Sequence, residues 1–159
     1  MKRPPAEPVH LVGGIDNQCR GGVEAAPFYE WGGKNAAGTD GFAQHRPGWT
    51  MPIHQLLVTN KVTAVFHGHD HFYARQELDG IVYQEVPQPG YPGNGRVPRS
   101  AAEYGYKSGT MFGSSGHLRV KVSPTNVTVD YIASLLPDAE TANRKNGSVA
   151  HSWKLLTLN

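Results

Sequence analysis

At 159 residues and a net charge of +2, the chain is long enough to bury one core and has no charge surplus that would draw nucleic acid or a membrane surface. Only 38% of it is hydrophobic, and 19 glycines with 12 prolines demand long irregular connections, which excludes a helical bundle. The single cysteine, Cys19, excludes an internal disulfide and a CxxC zinc site. No apolar run approaches the roughly 18 residues of a membrane-spanning helix.

The opening, MKRPPAEPVH, is basic but lacks the apolar segment of a signal peptide, so the compartment stays open. Pro4, Pro5 and Pro8 bar both helix and regular ladder pairing there. Val9-His10-Leu11-Val12, followed by Gly13-Gly14, is expected to be a strand end entering a loop. Residues 16–49 are rich in glycine, aromatics and isolated charges, and predict a long loop with one helical turn near Val23–Ala26. Phe28, Tyr29, Trp31, Phe42 and Trp49 are expected to pack that loop against the body, with His45 and Arg46 at the surface.

Thr50 as a cap, an early Pro52, and Ile53, Leu56 and Leu57 at helical spacing predict a short helix to Val58, with His54 exposed. Val62–Phe66 then predicts a buried strand that runs into Gly68-His69-Asp70-His71. A strand ending in such a loop presents side chains at the carboxyl end of a sheet, and imidazoles at alternate positions can serve one cation. A histidine-rich turn without a metal is the other account of the same residues. Beyond it the pattern turns to β. Asp79-Gly80 between strand-like runs is a two-residue hairpin signal. Residues 84–109 are irregular. Gly116–Val122 and Val127–Ile132 alternate apolar and polar about a Pro124-Thr125-Asn126 turn, and a last strand is expected over Ala150–Leu156. His117 and His151 fall within strands, in structural or solvent-facing positions.

Gly68-His69-Asp70-His71, extended by Tyr73 and Arg75, resembles the GHxHxYxR form of the calcineurin-like metallophosphoesterases, purple acid phosphatases among them. The resemblance implies an α/β (α+β) fold: the C-terminal half of a metallophosphoesterase-type β-sandwich with flanking helices, loop-rich and ending in antiparallel hairpins. Residues 1–159 would then be a single partial domain. It also implies a two-cation centre with His69 on the second cation and His71 on the first, and with His10 as an upstream ligand. Tyr73 and Arg75 would buttress the loop, Arg75 through a carboxylate. The cofactors would be divalent metal ions (Fe, Zn and Mn are not distinguished) and the substrate a phosphoester.

A two-cation centre also requires carboxylates to offset the charge. The family supplies them through DxH, GDxx and GNH[DE] motifs. This chain has no Gly-Asp dipeptide, none of its six aspartates is followed two places on by histidine, and Asn94 sits in GNG. The chain is therefore expected to need a missing N-terminal half, to be inactive alone, and to expose a sheet edge. Two alternatives carry no phosphatase chemistry. One is a non-catalytic β-rich metal-binding or interaction module; the other is a cupin-like single-metal site built from His69, His71 and Glu77.

Overall fold

The Asp79-Gly80 turn sets the first hairpin. Both residues hold positive φ, 49° and 79°, the left-handed geometry that a two-residue turn between right-twisted strands requires. The turn joins β2 (Tyr73–Leu78) to β3 (Ile81–Glu85), with Leu78 opposite Ile81. A computed structural model describes residues 21–90 and 97–156. His10, the strand end expected around it, and Cys19 lie outside these residues.

Parallel to β3 runs β1 (Ala64–His67), and β4 (Thr110–Phe112) pairs antiparallel with β2, so the first sheet has the order β1-β3-β2-β4. The second sheet is antiparallel, β5 (Gly116–Val122), β6 (Asn126–Ala133) and β7 (Val149–Leu156) in that order. All five residues of β3 are buried, so both of its faces are covered. Successive side chains alternate in a strand, which sends Ile81, Tyr83 and Glu85 to one face and Val82 and Gln84 to the other.

The Ile81 and Tyr83 face receives the helical segments. Val23 and Ala26 from a single 3₁₀ turn, Trp31 from α1 (Tyr29–Gly32), and Ile53 and Leu57, past the one-turn α2 (Phe42–His45), from α3 (Ile53–Thr59) pack on it. Farther along this face, α4 (Val97–Glu103) contributes Ala101 to a cluster with Phe72, Ala74 and Tyr106. The opposite face meets the second sheet. Val82 packs with Val129 and Trp153, and the Trp153 indole N–H donates to Gln84 Oε1 at 2.9 Å. Tyr73 stacks on Tyr131 with ring centroids 4.8 Å apart, a pairing worth roughly 0.5–1.5 kcal/mol beyond area burial. The result is an α+β arrangement with helices on one side of a mixed sheet and an antiparallel sheet on the other.

The expected helix, both hairpins and the last strand are present, with small differences at their ends. Pro52, not Thr50, occupies the cap position of α3. Trp31 anchors the glycine-rich loop as expected, whereas Trp49 is 52% exposed, its ring edge-on to Phe42. The stretch expected to be irregular holds α4, whose single apolar stripe was masked by neighbouring prolines. The strand expected to be buried, β1, ends the strand order among the described residues, and its Phe66 is 44% exposed. Among those residues no helix is long and apolar enough to cross a membrane.

The polar face of the second sheet generates a pH prediction. Asp130 accepts bonds from Ser152 Oγ–H at 2.8 Å and from the Arg119 guanidinium at 2.9 and 3.1 Å, with Lys121 Nζ at 3.4 Å. Chiefly the Ser152 bond, then Arg119, holds its carboxyl down at about 2. An acid whose folded value is depressed stabilises the fold above its ordinary value of about 4, and that contribution is lost as pH falls through about 2. Asp130→Asn should therefore melt below the parent protein at neutral pH, and thermal melts taken down the acid range should show the gap closing between about pH 4 and pH 2.

Candidate functional site

The parallel ladder between β1 and β3 closes where the Val86 N–H donates to the His67 carbonyl at 2.7 Å. Its register sets His67 opposite Glu85, both on the helix-covered face and both buried. His67 Nδ1 lies 2.7 Å from Glu85 Oε2. The chain then turns through Gly68 and His69, and the Asp70 N–H donates to Glu85 Oε1 at 2.9 Å. One carboxylate thus touches both ends of the turn. Asp70 is buried in its place, and its Oδ2 accepts the Tyr106 hydroxyl at 2.8 Å. Ser114, from the segment after β4, donates its hydroxyl to the His71 carbonyl and accepts the Gln88 N–H.

Above this buried frame stand the two predicted ligands. His69 has φ 110° and His71 φ 63°, both in the region that favours glycine, at a cost on the order of 1–3 kcal/mol each. The strain does not sit on Gly68, where an added Cβ would meet nothing within 4 Å. The His69 side chain is 55% exposed, with Nδ1 3.8 Å from Asp70 Oδ1. His71 is exposed as well and borders a pocket of about 60 Å³ walled by Asp70, Phe72, Ser100, Tyr104 and Ser114.

The two predicted buttressing residues are placed behind the turn, at the seam between the sheets. Tyr73 is fully buried, and its hydroxyl lies 2.7 Å from His151 Nδ1. Arg75 lies over the Trp153 ring at 5.3 Å and pairs with the Glu77 carboxylate at 3.2 Å. His54, expected at the surface, is half-buried because its ring bridges the Tyr83 hydroxyl at 2.6 Å and Asp79 Oδ2 at 2.8 Å. His45 and Arg46 are peripheral, Arg46 being paired with Glu30.

Burial governs the electrostatics of the floor of the turn. Burial pushes the Glu85 carboxyl above its ordinary range, while its contact with His67 pulls the other way. Burial, reinforced by the Asp70 charge, raises the Tyr106 hydroxyl, which keeps the proton it donates to Asp70.

The donor chemistry of the turn suits a borderline divalent cation: two solvent-facing imidazoles on one short loop whose backbone is held from below. Two imidazoles by themselves are an incomplete donor set for such a cation. Among the described residues no three His, Cys, Asp or Glu side chains gather closely enough to hold a metal ion. His67, Glu85, Tyr106 and Ser114 had no part assigned from sequence. Glu85 did carry a signal, since it continues the inward-facing series Ile81, Tyr83 with an acid. The chain matches no family model and no curated protein.

The backbone strain and the buried frame predict stability changes of opposite sign. His71→Gly should raise stability by about 1 kcal/mol by relieving the left-handed conformation. Tyr106→Phe should lower it by about 1–3 kcal/mol, since it removes a buried bond to a carboxylate. Chemical denaturation of both variants checks each sign.

Proposed function

We propose that this chain supplies the histidine-bearing part of a metal-dependent phosphoester hydrolase of the calcineurin-like type, and that it does not hydrolyse phosphoesters alone. His69 and His71 are the imidazole donors to divalent cations; His10 is a third donor in the same proposal. The observation that carries this is the GHDHFYAR stretch at the carboxyl end of β1, with both imidazoles open to solvent on a strained turn over buried acids. Residues held at unfavourable φ recur at ligand-binding sites.

Divalent cations, when bound, would supply Lewis-acid activation of water and of the phosphoryl oxygens. The chain's own part is to hold donors in place. Asp70 orders the turn and is not a proton acceptor for substrate, because it is buried with Oδ2 engaged by Tyr106. Tyr73 and Arg75 steady the start of β2, from which the turn departs, by fastening it to the second sheet. The carboxylate donors come from outside the described residues.

The second reading is a non-catalytic β-rich metal-binding or interaction module. It is favoured by the absence of a three-donor group among the described residues. A cupin-like site fits less well, because Glu77 lies toward the far end of β2 and is paired with Arg75.

Calorimetric titration of the 159-residue chain with zinc, together with an aryl phosphate assay in added manganese or zinc, separates these readings. The expected result is weak binding lost in both His69→Ala and His71→Ala, with no turnover. Turnover that His71→Ala abolishes would overturn the half-site, and absence of any zinc binding would favour the interaction module.

A further inference from the structure

Glu85 stands where β3 should end in an apolar side chain. Its face neighbours Ile81 and Tyr83 belong to the core under the helices, and Glu85 itself is 0% exposed. A carboxylate that deep is costly to bury, so what meets its two oxygens matters. Both contacts here come from a single turn. Oε1 accepts the backbone N–H of Asp70, while Oε2 stands 2.7 Å from Nδ1 of His67, the last residue of β1, in a close contact short of hydrogen-bond geometry. The carboxylate therefore measures the span from residue 67 to residue 70, and Gly68 and His69 must bulge outward within that span. Tyr106 fixes the far end through the Asp70 side chain, and Val86 fixes the near end through the His67 carbonyl.

We infer that Glu85 is a positioning residue for the GHDH turn: its two oxygens set the turn's span and so dictate where the His69 and His71 imidazoles stand. The inference rests on the ligand role proposed above for those histidines. Glu85 has no exposed surface with which to touch substrate or cation, so it acts through the backbone of the turn alone. A buried pair that merely stabilised the core would behave differently. Its loss would lower the melting temperature without singling out the Asp70 amide or the donors above it.

The test compares Glu85→Gln, Glu85→Asp and Glu85→Ala in the full chain. Gln keeps the length and the acceptor for the Asp70 N–H; Asp keeps the charge but withdraws it by a methylene. The first readout, free of metal, is hydrogen exchange at the Asp70 amide relative to the Tyr83 amide within β3. The second is zinc affinity. Glu85→Asp should speed Asp70 exchange by about tenfold or more, as loss of one bond to a charged acceptor predicts. It should also weaken zinc binding by roughly 10–100-fold, the usual effect of removing support behind a ligand. Glu85→Gln should hold both near the parent values. Glu85→Ala should resemble Asp where it folds, and the Asp and Gln pair decides the matter where it does not. Unchanged Asp70 exchange and unchanged zinc affinity in Glu85→Asp overturn the inference. A parent chain that binds no zinc, yet releases the Asp70 amide in Glu85→Asp, removes the ligand assignment and leaves the positioning of the turn supported.

Discussion

The buried carboxylate of Glu85 is the constraint on which the arrangement of the site depends. Removing an ionised carboxylate from water costs several kcal/mol even after relaxation. The fold tolerates it because the parallel register of β1 and β3 delivers the His67 ring and the Asp70 N–H to its two oxygens. Slide that register by one residue and the side chains of β1 change faces, since strand periodicity is two. Glu85 would then face the core without partners. The polar contact thus specifies the pairing as well as occupying its end. In return the pairing holds a turn that its own φ values disfavour.

The second support lies on the other face of the same strands. Tyr73 and Arg75 leave the turn side by side in sequence with Ala74 but point to the opposite sheet, where Tyr73 meets Tyr131 and His151 and Arg75 covers Trp153. Gln84, next to Glu85, does the same by accepting the Trp153 indole N–H. Two adjacent residues of β3 therefore fasten different things, the turn on one face and the second sheet on the other. The eight-residue stretch from Gly68 to Arg75 combines an exposed ligand-like turn with a seam that anchors it.

What could be read from sequence was what local chemistry decides. The Asp79-Gly80 turn and the alternation about Pro124-Thr125-Asn126 announce their hairpins because turn geometry and side-chain period are properties of neighbouring residues. The short helix at Ile53–Thr59 is legible for the same reason. The parallel pairing of β1 with β3 is not local: no turn dictates it, and its register emerges only from packing on both faces. Thus His69 and His71 could be singled out from a motif, while Glu85 could not be connected with them. α4 and the three-residue β4 were hidden as well, the first among prolines and the second by being too short to show a period.

Strain and exposure together carry more weight at this turn than either would alone. A buried residue at positive φ can be held there by packing, with no bearing on what the protein does. His69 and His71 are exposed, and glycine at either position would relieve the conformation. Polar contacts from below hold the turn they stand on: Glu85 on the Asp70 N–H, Tyr106 on the Asp70 carboxylate, and Ser114 on the His71 carbonyl. Three buried polar side chains thus hold the backbone of the turn beneath two exposed imidazoles. Support of this kind behind a ligand-bearing turn is what the proposed role of His69 and His71 requires.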